Sequence, residues 1–153
     1  MDKEIVGAVA GIAGTVVGAG ISAFFQWRAR RDADKKQQRA AIDAAISQML
    51  GYTIQYPSLE SLKFCKDYPS CTDDTEKERY EAYCCFVFNT LVKIWAYCDG
   101  NSEKVSGVFH VAEIARLHHR WWEHDQENFG YSREFRQFIN GVIDDLKKEG
   151  KLK

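Results

Sequence analysis

Proline occurs only twice in the 153 residues, at Pro57 and Pro69, so long stretches carry nothing that forbids a helix. No segment alternates apolar and polar residues as a half-buried strand would, and no repeat or low-complexity run is present. A dominant charge is missing too. There are 21 Lys/Arg against 22 Asp/Glu, a net charge of −1, and residues 40–153 are mildly acidic with no basic stripe. Nucleic acid is therefore not an expected partner, because neutralising a phosphate backbone needs clustered Lys and Arg. The five cysteines, Cys65, Cys71, Cys84, Cys85 and Cys98, form no CxxC pair. No glycine-rich phosphate loop occurs, and no serine or cysteine lies beside a plausible base. These absences leave an all-α chain without a recognisable catalytic signature.

What the chain does have is one long uncharged run. Residues 5–25, IVGAVAGIAGTVVGAGISAFF, hold 21 residues with no charge. At ~1.5 Å per residue a helix of that length covers about 31 Å, the thickness of a bilayer's hydrocarbon core. The mixed-sign Asp2-Lys3-Glu4 start and the Phe25-Gln26-Trp27-Arg28 exit do not fit a cleaved signal peptide. The run is read as a transmembrane helix. Arg28, Arg30, Arg31, Lys35, Lys36 and Arg39 follow it, which predicts residues 1–4 outside the cell and the C-terminal domain in the cytoplasm. Trp27 would sit at headgroup level, and the basic cluster against anionic lipid. Gly7, Gly11, Gly14 and Gly18 stack on one helical face, with Ser22 continuing it. Such small-xxx-small spacing favours close association with a second copy or another membrane protein.

Residues 26–40 are polar all round and read as a basic stalk continuing the helix. From Ala41 the pattern changes. Ala41, Ile42, Ala45, Ile46, Met49 and Leu50 recur at helical spacing and dock the chain onto a core. Residues 41–153 form one predicted domain, mildly acidic, large enough for a single modest core. Two Tyr-Pro-Ser triplets bracket a short predicted helix at 59–65. A capping box at Thr75 and Glu78 opens a long aromatic helix that Gly100 ends. Residues 101–106 read as a polar loop and 108–123 as the next helix. Ser132 caps a last helix whose apolar face is Phe135, Phe138, Ile139, Val142, Ile143 and Leu146. The odd cysteine count in a domain placed in the cytoplasm argues for free thiols.

The densest side-chain chemistry is HHRWWEHD at 118–125. No two of the four histidines stand four apart, the spacing at which helix-borne zinc ligands pair, so neither a metal nor a cofactor is expected. His124-Asp125 matches the dipeptide of the HD phosphohydrolases without their other ligands. Arg120 and His124 are separated by too few residues for the arginine–histidine motif of the helical HEPN nucleases. Trp121 and Trp122 point about 100° apart on a helix, which predicts one ring in the core and the other partly exposed. With His118 and His119 they form a candidate ligand or partner surface.

The order of features, with YPSLE, the aromatic central helix, H-x-x-W-W at His118–Trp122 and Y-x-x-x-F at Tyr131–Phe135, resembles small bacterial single-pass membrane proteins with a cytoplasmic helical domain. The resemblance implies no activity and transfers no functional residue. The resulting expectation is a transmembrane helix, a stalk and a bundle of four to five helices. Its role would be a non-enzymatic, oligomerising interaction module or regulator of a membrane complex. The alternatives are a tethered sensor with a His/Trp ligand or metal pocket, and a glycine-zipper protein that perturbs membranes.

Overall fold

The computed structural model describes residues 3–124 and 127–152, with side chains at 24–124 and 128–152. Six α-helices are seen among them and no strand: α1 (Lys3–Gln55), α2 (Leu62–Asp67), α3 (Asp74–Tyr97), α4 (Ser102–Val108), α5 (Val111–Glu123) and α6 (Arg133–Lys148). Single 3₁₀ turns at Pro57–Glu60, Tyr68–Ser70 and Glu127–Gly130 join some of them. The all-α class follows from the low proline content and the 3.6-residue spacing of apolar positions. The chain divides into two units, Met1–Ala40 and Ala41–Lys153.

The single-pass membrane placement is not supported. Among the described residues no helix is long and apolar enough to cross a membrane. The described side chains of α1 begin at Phe24, and Arg28, Arg30, Arg31, Asp32, Asp34, Lys35 and Lys36 follow within a few turns. A span needs about 20 mainly apolar residues, and this part of α1 offers far fewer. The expected topology, outside N-terminus and cytoplasmic domain, falls with it. The side-chain surroundings of the glycine face, Gly7, Gly11, Gly14 and Gly18, lie outside the described residues. In the described part of this unit Trp27 is exposed, with the Arg31 guanidinium 4.9 Å from its ring centre.

In the second unit, residues 41–55 of α1 bury Ile42, Ala45 and Met49. α1 ends at Gln55 because Pro57 disfavours helix at Tyr56, whose φ of −132° is already non-helical. The short helix expected at 59–65 is instead a 3₁₀ turn and then α2, with Ser61 extended between them. The helix α3 starts at a different cap from the expected Thr75 box. The Asp73 carboxylate accepts from the Glu76 amide at 3.0 Å. An anion one turn upstream meets both the free amides and the positive end of the helix dipole. At the other end Asp99 and Gly100 take φ of +54° and +70°, and the Gly100 amide bonds back to the Trp95 carbonyl. The segment read as a loop at 101–106 is mostly helix, because Asn101 caps α4 by accepting from the Lys104 amide at 2.9 Å.

The core is aromatic. Phe88 of α3 stacks on Trp121 (5.3 Å, 18° between planes) and packs against Trp122 (4.6 Å). Trp122 also meets Tyr131 and, edge-on, Phe135. Both tryptophans are buried, at 1% and 0% exposure, whereas one was expected partly outside. The 100° divergence holds, but α5 packs against α2, α3 and α6 together, so each ring finds a wall. Asn140 supplies the acceptor for the Trp122 indole N–H at 2.8 Å.

Candidate functional site

The His/Trp surface expected on α5 is largely interior. His118 is fully buried, His119 is half-buried, and Trp121 and Trp122 belong to the core. His119 turns its Nδ1 to the Arg116 carbonyl at 3.2 Å, and burial lowers its pKa. These four residues present no common face to solvent. An i, i+3, i+4 pattern with His in it resembles a surface patch in sequence, because histidine is polar. Only the packing of three neighbouring helices on α5 turns that face inward.

His118 instead anchors a buried polar cluster that brings together residues far apart in sequence. Its Nδ1 lies 2.9 Å from the Tyr80 hydroxyl, 3.7 Å from Cys84 Sγ and 3.9 Å from Cys65 Sγ. The Cys65 thiol also donates to the Leu59 carbonyl at 3.3 Å. Tyr83 lies edge-on to the imidazole at 5.8 Å. Burial decides every protonation state here. It depresses His118 to about 3, with His119 adding to the effect, so the imidazole is neutral at ordinary pH. The same desolvation raises Tyr80, Cys65 and Cys84. Where Tyr80 donates to Nδ1, the ring proton sits on Nε2, which has no hydrogen-bond partner among the described residues. A buried orphan of this kind costs about 1–3 kcal/mol. A nucleophilic cysteine requires a stabilised thiolate, and this surrounding does the reverse. Among the described residues no three His, Cys, Asp or Glu are placed to hold a metal ion.

A second arrangement lies outside the core, where the end of α1 meets α3. Tyr52, Tyr56, Leu59, Arg79, Ala82, Tyr83 and Phe86 line a groove of about 290 Å³. Tyr52 and Phe86 meet edge-to-face at 5.9 Å. The Arg79 guanidinium stacks on the Tyr56 ring, 4.6 Å from its centre. Behind these walls Glu60 Oε1 accepts from the Tyr83 hydroxyl at 2.5 Å, with Thr53 Oγ1 3.2 Å away. Burial, then the bond to Glu60, raises the Tyr83 pKa, so its phenol stays protonated. The 3₁₀ turn positions this set: Pro57 starts it, Leu59 is buried beneath, and Glu60 reaches α3.

No protein-family profile, curated protein or solved structure matches the chain. The groove therefore stands on its geometry. Arg79 is half-buried, and its N–H groups meet no hydrogen-bond or ion-pair partner among the described residues. Sequence reasoning passed over this site. Arg79 carries no motif or spacing signal, and Tyr52 and Tyr56 read as part of a helix end and a turn. The available signal was three aromatic residues, Tyr52, Tyr56 and Phe86, at positions flanking the two apolar faces rather than on them.

Proposed function

We propose that residues 41–153 form a non-catalytic helical binding module whose recognition site is the groove between Tyr52, Tyr56, Arg79 and Phe86. The single observation that carries this reading is the concave aromatic wall with one half-buried, uncommitted cation on it. Binding sites combine an apolar lining with a few placed polar groups, and the groove has that composition at a size near the lower end for small molecules. The buried His118 cluster supports the non-catalytic part, since its thiols, phenol and imidazole are all held in their neutral forms. Arg79 packs on Tyr56 and Tyr52 on Phe86, and contacts already made in the free site lower the entropy cost of binding.

The test fills the groove. Ala82 lines it and is exposed, so Ala82→Trp adds bulk without disturbing the core. Full-length protein is screened by saturation-transfer NMR against single-ring probes, phenol, toluenesulfonamide and phenylacetamide among them. Binding that A82W abolishes supports the reading. No binding, or binding that A82W leaves intact, removes it.

A further inference from the structure

We infer that the groove takes a small carboxylate-bearing molecule with a single-ring aromatic or branched aliphatic body, its carboxylate held by Arg79. The inference rests on the binding reading above and goes on to the ligand's chemistry. Three donor side chains of the groove, Arg79, Tyr52 and Tyr56, keep hydrogens to offer. Arg79 presents a planar guanidinium, suited to bidentate carboxylate binding, with no acceptor of its own among the described residues. The Tyr52 hydroxyl accepts from Gln48 Nε2 at 3.1 Å, and the Tyr56 hydroxyl from Gln55 Nε2 at 3.2 Å. Each phenol oxygen already accepts a bond, so its own O–H hydrogen remains free to donate.

The carboxylate behind the groove is turned inward. Glu60 is the nearby carboxylate, and its Oε1 takes the Tyr83 hydroxyl at 2.5 Å with Thr53 beside it. It is not among the lining residues, and the only charged group that is, Arg79, carries a positive charge. An aromatic wall can also recognise a cation through its ring faces. Here Arg79 already occupies the face of Tyr56 and repels a second positive charge. The volume of about 290 Å³ suits a ring or a short branched chain.

Three probes with the same ring and side-chain length separate the possibilities: phenylacetate, its isostere phenylacetamide, and phenethylammonium, titrated into full-length protein at constant ionic strength. Phenylacetate is expected to bind at least tenfold more tightly than either of the others. Arg79→Gln should reduce phenylacetate to the level of the amide and leave the amide unchanged, with the far-UV circular dichroism as in wild type. Equal binding of acid and amide, tighter binding of the ammonium probe, or indifference of phenylacetate to R79Q would overturn the inference while leaving the binding module in place. If none of the three binds, or if A82W leaves phenylacetate binding intact, the binding module itself fails.

Discussion

His118 should make folding stability fall with acidity in a way that one substitution removes. The imidazole titrates near 6.5 when unfolded and near 3 when buried. Above pH 6.5 it is neutral in both states and contributes no pH dependence. As pH falls below 6.5 the unfolded chain takes up a proton that the folded one refuses. Stability then drops by about 1.4 kcal/mol per pH unit, until pH approaches 3. At pH 4.5 the loss reaches about 3 kcal/mol, a large part of the 5–15 kcal/mol typical of a domain. Half-buried His119 shifts the same way and adds to it. Urea unfolding at pH 7.5, 6.5, 5.5 and 4.5 gives the slope for wild type and for His118→Asn. Asparagine keeps an acceptor near the Nδ1 position for Tyr80 but does not titrate. It offsets the stability at every pH through lost volume, and His119 is common to both proteins. The difference between the two curves therefore isolates His118. H118N should lose about 3 kcal/mol less than wild type between pH 7.5 and 4.5. Parallel curves would refute the argument that burial, and not a hidden charge partner, sets this histidine's state.

Other outcomes follow from the same packing. Trp122→Ala should cost about 3–5 kcal/mol in urea unfolding, since a fully buried indole leaves a cavity between α3, α5 and α6. Asn140→Ala should cost about 1–3 kcal/mol by orphaning the Trp122 N–H, although Asn140 itself is exposed. Asp73→Ala should lower stability by about 1 kcal/mol and Thr75→Ala by much less, because Asp73 is the residue that caps α3. With a thiol-reactive chromophore, Cys71 and Cys85 should react in the native protein. Cys65, Cys84 and Cys98 should react only on unfolding, because they are buried. Fast labelling of Cys84 would contradict the burial of the His118 cluster.

The sequence by itself determined the helical class, most helix positions and the apolar stripes that face inward. These are local properties: spacing of apolar residues, the Ser132 cap, and the stops imposed by Pro57 and Gly100. Where a local signal was ambiguous, packing chose. The Thr75 box was the expected cap of α3, and the Asp73 carboxylate two residues upstream takes that place. The uncharged run at 5–25 satisfied a length rule, yet among the described residues no helix has the apolar length to cross a membrane.

What tertiary structure alone decided is which residues became neighbours. Cys65, Tyr80, Cys84 and His118 meet around one imidazole from positions up to 53 residues apart, and no spacing rule anticipates that. Trp121 and Trp122 could not both be assigned to a core until α2, α3 and α6 were seen to surround α5. The Arg79 groove has the same origin, since its walls come from α1, a 3₁₀ turn and α3. Helical periodicity reports which face of an element is apolar. It carries no information about which element that face will meet, because that is set by the non-local burial of surface across the whole domain.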